Sequence, residues 1–309
     1  MVIIAGPTAS GKSALALELA AAFGGSIINA DALQIYRDLR ILTARPDATA
    51  EARVPHRLYG VRDAAGRGSV ARWRAMADTE IAAARAAGRT PFVVGGTGLY
   101  LRALLDGLAP VPEVPQAVRD DAAALYRAVG GEEFRRRLAQ IDPEAAARLP
   151  PGDRQRLLRA WEVAQATGQP LAFWHRRAPQ PARCRAAIIL LLLPPRATLY
   201  AACDARFAAM IAGGGLAEAA ALAARGLAPD LPAMKAVGVP ELMRHLRGET
   251  TLAEAVAAGQ QATRRYAKRQ MTWFRHQMVA ELVLNEQFSE SLLRRSRHFI
   301  DDFLLTASR

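Results

Sequence analysis

The chain opens on four apolar residues, Val2-Ile3-Ile4-Ala5, followed at once by small and polar ones, which predicts a short buried strand running into a turn. Leu15, Leu17 and Leu19, set among alanines, predict a helix that stops at Gly24-Gly25. Residues 26–30 have the pattern of a second strand, ending at Asp31. An amphipathic helix is expected over 70–87, closed by Gly88, then a third strand over 91–94 and a helix over 99–105. From Pro110 the pattern turns to prolines and arginine-rich helical stretches at 116–129, 132–140 and 153–167, the last stopped by Gly168. Strand-like residues resume only at 186–193. Further helices are expected at 198–211, 216–225, 240–246, 252–276 and 289–306, with a short strand at 282–284. No internal repeat is visible. The pattern predicts an α/β core, 1–109 and 186–309, interrupted by a helical insertion domain, 110–185.

Between the first strand and first helix lies Gly6-Pro7-Thr8-Ala9-Ser10-Gly11-Lys12-Ser13. Strand, G-x-x-x-x-G-K-S and helix, in that order, form the context of a phosphate-binding loop, so the fold expected is a P-loop NTPase-like parallel sheet flanked by helices. Successive backbone N–H groups and the helix N-terminus wrap an anion, Lys12 reaches the distal phosphate, and the Ser13 hydroxyl can hold Mg²⁺. In a parallel sheet the carboxyl ends of the strands share one edge, so Asp31 and Gly95-Gly96-Thr97-Gly98 should emerge beside that loop. Asp31 capping its own turn is the structural alternative.

Composition adds a partner class. The 309 residues are 51% hydrophobic and 23% charged, which is ordinary for a globular chain, but the formal net charge is +12. Such a surface expects a polyanion, nucleic acid first and an acidic membrane second. Of 41 cationic residues, three are lysines, Lys12, Lys235 and Lys268, and thirty-eight are arginines. The stretch 263–275 interleaves Arg264, Arg265, Lys268, Arg269 and Arg275 with Tyr266, Trp273 and Phe274, a mixture suited to phosphate contact and base stacking; the alternative, usual for aromatics at helical spacing, puts these rings in the core and leaves the function to the charges. Helix 153–167 carries Arg154, Arg156 and Arg159 near its start, which also fits a solvated charged face. Cys184 and Cys203 have no metal-ligand or disulfide spacing and are expected as thiols. The longest apolar run, 186–193, falls far short of the roughly 20 residues that span a bilayer. With no basic leader before Gly6, a cytoplasmic, reducing location without membrane attachment is expected.

These motifs occur in the order found in the tRNA dimethylallyltransferases (tRNA isopentenyltransferases), which the chain resembles over nearly its whole length. The resemblance is carried by 6–13, Asn29-Ala30-Asp31 with Gln34 and Tyr36, 95–100, 153–159, Lys235-Ala236-Val237-Gly238 and 263–275. It implies transfer of a dimethylallyl group from dimethylallyl diphosphate to N6 of the adenosine 3′-adjacent to the anticodon, with Mg²⁺ as cofactor and a monomer as the active form. By resemblance Asp31 is the general base, and Asp31, Ala32, Leu33 and Gln34 meet the target nucleotide. Thr97 touches tRNA at the reacting centre, Arg206 binds diphosphate and Arg119 falls at another tRNA contact. Gln155-Arg156-Leu157-Leu158-Arg159, Lys235-Ala236-Val237-Gly238-Val239-Pro240 and Lys268-Arg269-Gln270-Met271-Thr272-Trp273-Phe274-Arg275 fall on tRNA-contacting segments.

Chemistry agrees with this assignment. The adenine exocyclic amine is a weak nucleophile, so a carboxylate that takes its proton as the C–N bond forms is useful. Gln34 has the donor and acceptor pair that suits an adenine edge. Two positions depart from the family pattern: Ala32 stands where serine is common and Val239 where an aromatic is frequent. His56 is expected to pack or cap rather than catalyse. A kinase using the loop for ATP, or an RNA-binding protein with a relic loop, would explain part of the pattern. All three lysines lie in motifs that the resemblance places on anions, as if those positions needed an ammonium.

Overall fold

Six strands form one all-parallel sheet: β1 (Val2–Ala5), β2 (Ser26–Asn29), β3 (His56–Arg57), β4 (Pro91–Gly95), β5 (Ile188–Leu192) and β6 (Leu282–Leu284). Their order is β3-β2-β4-β1-β5-β6. The computed structural model describes residues 1–177 and 187–307. Cys184 and Ala186 therefore lie outside the described residues. β1, β2, β4 and β5 are buried along their whole length, as strands covered on both faces require. β1 lies between β4 and β5, Val2 beside Phe92 and Ile188, so the loops leaving β1, β4 and β2 open on one edge.

Among the described residues, nine α-helices accompany this sheet in the larger of two compact units, residues Met1–Leu104 and Arg185–Arg309. They start with α1 (Lys12–Ala22), α2 (Ala48–Arg53), α3 (Val70–Ala86) and α4 (Gly98–Asp106), the last running a turn past the unit's limit. The second unit, Leu105–Cys184, carries α5 (Gln116–Leu138), α6 (Pro143–Arg148), α7 (Arg154–Thr167) and α8 (Leu171–Arg176). The chain then continues with α9 (Arg196–Met210), α10 (Leu216–Ala224), α11 (Val239–Leu246), α12 (Leu252–Gln277) and α13 (Glu290–Ala307). A π-turn, Ile211–Gly215, joins α9 to α10.

Long patterned elements appear where the sequence predicts them, because period and caps are local. Ser69 caps α3, Asp153 caps α7, and Thr251 with Glu254 forms a capping box on α12. The two helices expected at 116–129 and 132–140 run on as α5 across a kink at Gly130, φ 73°. α2, α6 and α8, six residues each, and the two-residue β3 have too few residues for a period and are additions to the sequence reading. The second unit has its own core of Phe134, Leu138, Leu149 and Leu157, with Tyr126 and Trp161 against it. Fully buried Asp142 holds it together, accepting from Ala145 N at 3.0 Å and from Leu171 N at 3.0 Å. His56 packs as expected: its Nδ1 lies 2.8 Å from Val54 O and its ring edge meets Tyr59. One helical run, Arg196–Ala224, is apolar and long enough to cross a bilayer, which the count of uninterrupted apolar residues overlooked because charged residues break the run.

Candidate active site

The loop from Gly6 to Ser13 folds as its sequence requires. Gly11 adopts φ 88° at the N-cap of α1, a conformation glycine takes without strain, and a Cβ there would stand 2.7 Å from Phe288 Cβ. Lys12 is buried and its Nζ donates to Pro7 O at 3.2 Å, so the ammonium is folded back over the loop. Burial pushes its pKa down to about 8; the Arg206 charge adds to the fall while Asp31 opposes it. Ser10 is buried with its hydroxyl unpartnered, and Ser13 is exposed on the first turn of α1. Across the loop, the half-buried Arg206 of α9 donates from Nη1 to Thr8 Oγ1 at 3.4 Å. Burial lowers its pKa too, against the pull of Asp31.

Asp31 leaves the carboxyl end of β2 on a frame of hydrogen bonds. Asn29 Oδ1 accepts from Asp31 N at 2.8 Å, Asn29 Nδ2 donates to Asp31 O at 3.1 Å, and Trp73 Nε1 donates to Asn29 O at 2.9 Å. One carboxylate oxygen, Oδ1, accepts from Leu33 N at 2.9 Å, so the turn-capping alternative is realised. Asp31 also lines a cleft with about 480 Å³ of open space, shared with Thr8 and Arg206. Leu33, Leu42, Phe207, Met210, Val237 and Tyr266 give that cleft an apolar wall. Burial and the Asp31 charge together push the Tyr266 phenol well up.

Thr97 is at the end of β4, where its hydroxyl oxygen accepts from Ala32 N at 2.9 Å and keeps its proton free to donate. That bond uses the backbone of residue 32, so alanine in place of the usual serine leaves it intact. Gln34 departs from the expectation: its Nε2 donates to Thr43 O and Ala44 O, both at 2.9 Å, so only its carbonyl oxygen is open to a base edge.

The segments expected to contact tRNA divide by burial. On α12, Arg265, Lys268, Arg269, Thr272 and Arg275 are exposed at helical spacing, with Arg269 over the Tyr266 ring. Gln270, Met271 and Phe274 are buried on the opposite stripe, and Trp273 packs where a Cβ on Gly98 would lie 2.2 Å from its ring. Arg264 is ion-paired with Asp204 rather than free for phosphate. Lys235 and Pro240 are exposed, whereas Ala236, Gly238 and Val239 are buried and Val237 faces the cleft. In the second unit Gln155 and Arg156 are exposed, Leu157 is fully buried and Leu158 half-buried. Arg159 pairs with Glu162 at 3.8 Å, and Arg119, whose buried Nε lacks a partner, lowers the Arg159 pKa further beyond the effect of burial. Of the three lysines, Lys12 is enclosed, whereas Lys235 and Lys268 are exposed.

Two contacts at the site have no local signal. Gln270 Oε1 accepts from Thr8 N at 2.8 Å while its Nε2 donates to Gly96 O at 2.8 Å, tying the phosphate loop to the β4 loop. Phe207 fits against Gly238 and Gly259, where added Cβ atoms would lie 2.4 and 2.2 Å from its ring.

Among the described residues no three His, Cys, Asp or Glu side chains gather as a metal site. A divalent ion here would be held mostly by phosphate oxygens and water, the usual mode for Mg²⁺, and the exposed Ser13 hydroxyl beside an anion loop fits that donor set.

A parallel sheet with a phosphate loop, a carboxylate at the neighbouring strand end and an exposed cationic helix defines a phosphate-loop protein acting near a polyanion. The IPP transferase family model matches residues 34–277. A tRNA dimethylallyltransferase of Rhodospirillum centenum is 59% identical over 283 residues, 91% of this chain and 90% of that one. One from Rhodospirillum rubrum is 54% identical over 313 residues, 100% and 96% of the two chains, so the likeness includes the phosphate loop upstream of the family model. The crystal structure of a tRNA isopentenylpyrophosphate transferase from Bacillus halodurans superposes with a TM-score of 0.71 at 31% identity, over 99% of this chain and 97% of that one. The chain belongs to the IPP transferase family, whose curated relatives are tRNA dimethylallyltransferases.

Proposed function

We propose that the protein transfers the dimethylallyl group of dimethylallyl diphosphate to N6 of the adenosine 3′-adjacent to the anticodon of tRNA, releasing diphosphate. The observation that carries this reading is the shared cleft: Asp31 faces the same space as Thr8 and Arg206, and apolar side chains line the rest of it. A diphosphate on the loop leaves its allylic tail against Leu42, Phe207 and Met210, and the target amine meets Asp31.

In the reaction the allylic C–O bond breaks and its electron pair leaves with the diphosphate. The N6 lone pair forms the new C–N bond, and the N6 proton passes to the Asp31 carboxylate. Lys12, Arg206 and the loop amides offset the charge that builds on the leaving group. Mg²⁺, when bound, supplies further charge neutralisation at the diphosphate, with Ser13 as its protein oxygen. Thr97 holds the Ala32 amide and keeps a proton to donate at the reacting centre, and Gln34 offers its carbonyl oxygen. An adenosine stacked in a loop must leave its stack, at a cost of a few kcal/mol that contacts elsewhere recover. Lys268, Arg269 and Arg275 on α12, Lys235, and Arg119, Gln155, Arg156 and Arg159 in the second unit are suited to the tRNA backbone. We assign the active form as a cytoplasmic monomer.

Incubation with labelled dimethylallyl diphosphate, Mg²⁺ and unmodified tRNA should put label into RNA. ATP turnover with no labelled RNA would replace this reading with the kinase one.

A further inference from the structure

We propose that Glu218 is a positioning residue for this transfer: its carboxylate fixes the backbone that carries Leu42 and Thr43 into the cleft wall. The proposal rests on the transferase reading above.

Residues 41–44 form a turn outside helix and sheet; Ala44 N donates to Ile41 O at 2.9 Å within it, while the amides that lead into it, at residues 40–42, are met by a side chain from elsewhere. Glu218, on the first turns of α10, provides them: Oε1 accepts from Arg40 N at 2.6 Å and Ile41 N at 2.8 Å, and Oε2 from Leu42 N at 2.8 Å. Three successive amides converging on one anion make a nest, here filled by the chain's own carboxylate. The carbonyls of the same turn are held from the other side by Gln34, through Thr43 and Ala44. The π-turn glycines allow the approach: a Cβ on Gly215 would stand 3.0 Å from Leu42 Cδ2. At the far end of α10, Arg225 pairs with Asp38 and, at 2.8 Å, with Asp63.

α10 therefore grips the segment 38–42 at both ends. α9, joined to it through the π-turn, carries Arg206, Phe207 and Met210 into the same cleft. The α9 residues line the cleft directly, and Leu42 and Thr43 line it on backbone that Glu218 holds. The gap that receives the allylic tail, and hence the alignment of the reacting carbon with Asp31 and its nucleophile, depends on that carboxylate. Misplacement by about 1 Å in such a site costs on the order of 100-fold in rate.

The test uses the full chain and compares wild type, Glu218→Ala and Glu218→Gln in the labelled-donor assay with unmodified tRNA. Glu218→Ala should lose about 10- to 100-fold in kcat with tRNA Kd unchanged. Acetate, which can enter the half-exposed nest, should restore part of the loss where chloride at equal ionic strength does not. Glu218→Gln keeps the shape but turns an N–H₂ toward the Leu42 amide, so its kcat should also fall; it serves if the alanine variant does not fold. Wild-type kcat in either variant, or a loss that acetate leaves untouched in a folded Glu218→Ala, overturns the proposal. A wild type that transfers nothing overturns the transferase reading as well.

Discussion

The backbone N–H of Thr8 donates to Gln270 Oε1 at 2.8 Å, joining the phosphate loop to a helix 262 residues further along the chain. The same side chain donates to Gly96 O at 2.8 Å, so one buried amide holds two strand-end loops in register. Replacing it by methionine leaves the half-buried Thr8 N–H and the buried Gly96 carbonyl unpaired, the latter at a cost of about 1–3 kcal/mol. Gln270→Met should raise the KM for dimethylallyl diphosphate and lower the melting temperature, while tRNA Kd stays near wild type, since the cations of α12 lie on the opposite stripe. Steady-state kinetics with filter binding separates these effects.

Asn29 holds the Asp31 backbone through both N and O, a frame that a substitution at the carboxylate leaves in place, and asparagine keeps an Oδ1 for Leu33 N. Asp31→Asn should lower kcat by about 10²–10⁴, the range for loss of a general base, with tRNA Kd unchanged. Transfer at the normal rate would remove the proton-acceptor role.

Lys12 titrates at about 8 in the free protein. A bound diphosphate favours the ammonium and raises that value, so proton uptake accompanies binding above pH 8. Affinity for inorganic diphosphate should be flat below pH 8 and decline as the pH rises beyond it, as calorimetry from pH 7 to about 9.5 would register. Lys12→Arg should fail much as Lys12→Ala does, because the slot over Pro7 O encloses a compact ammonium and not a planar fork.

Lys268 and Arg269 are exposed on α12 and Arg264 is paired with Asp204. Neutralising Lys268 and Arg269 should flatten the dependence of log K on log salt by about 0.7–0.9 per lost phosphate contact. Arg264→Ala should act on thermal stability with little change in that slope. A slope unmoved by the double variant would make Lys268 and Arg269 a solvated face.

The sequence by itself determined the elements with long periods and local caps, because their signals lie within a few residues of one another. β1 into Gly6–Ser13 and α1, Asp31 after β2, and Asp153 before α7 all belong to this class. It also placed Asp31 and Thr97 near the loop, since parallel strands share an edge. Which stripe of α12 faces inward was not legible: Gln270 is polar, and its burial depends on two backbone groups that only the folded chain brings to it. The same holds for Glu218 and the amides of residues 40–42, for Gln34 and the turn it closes, and for Trp73 behind Asn29. In each case a polar side chain is committed by a partner that the hydrophobic pattern does not encode. Tertiary structure decided those roles because a buried donor or acceptor must be paired, and the fold alone supplies the pair.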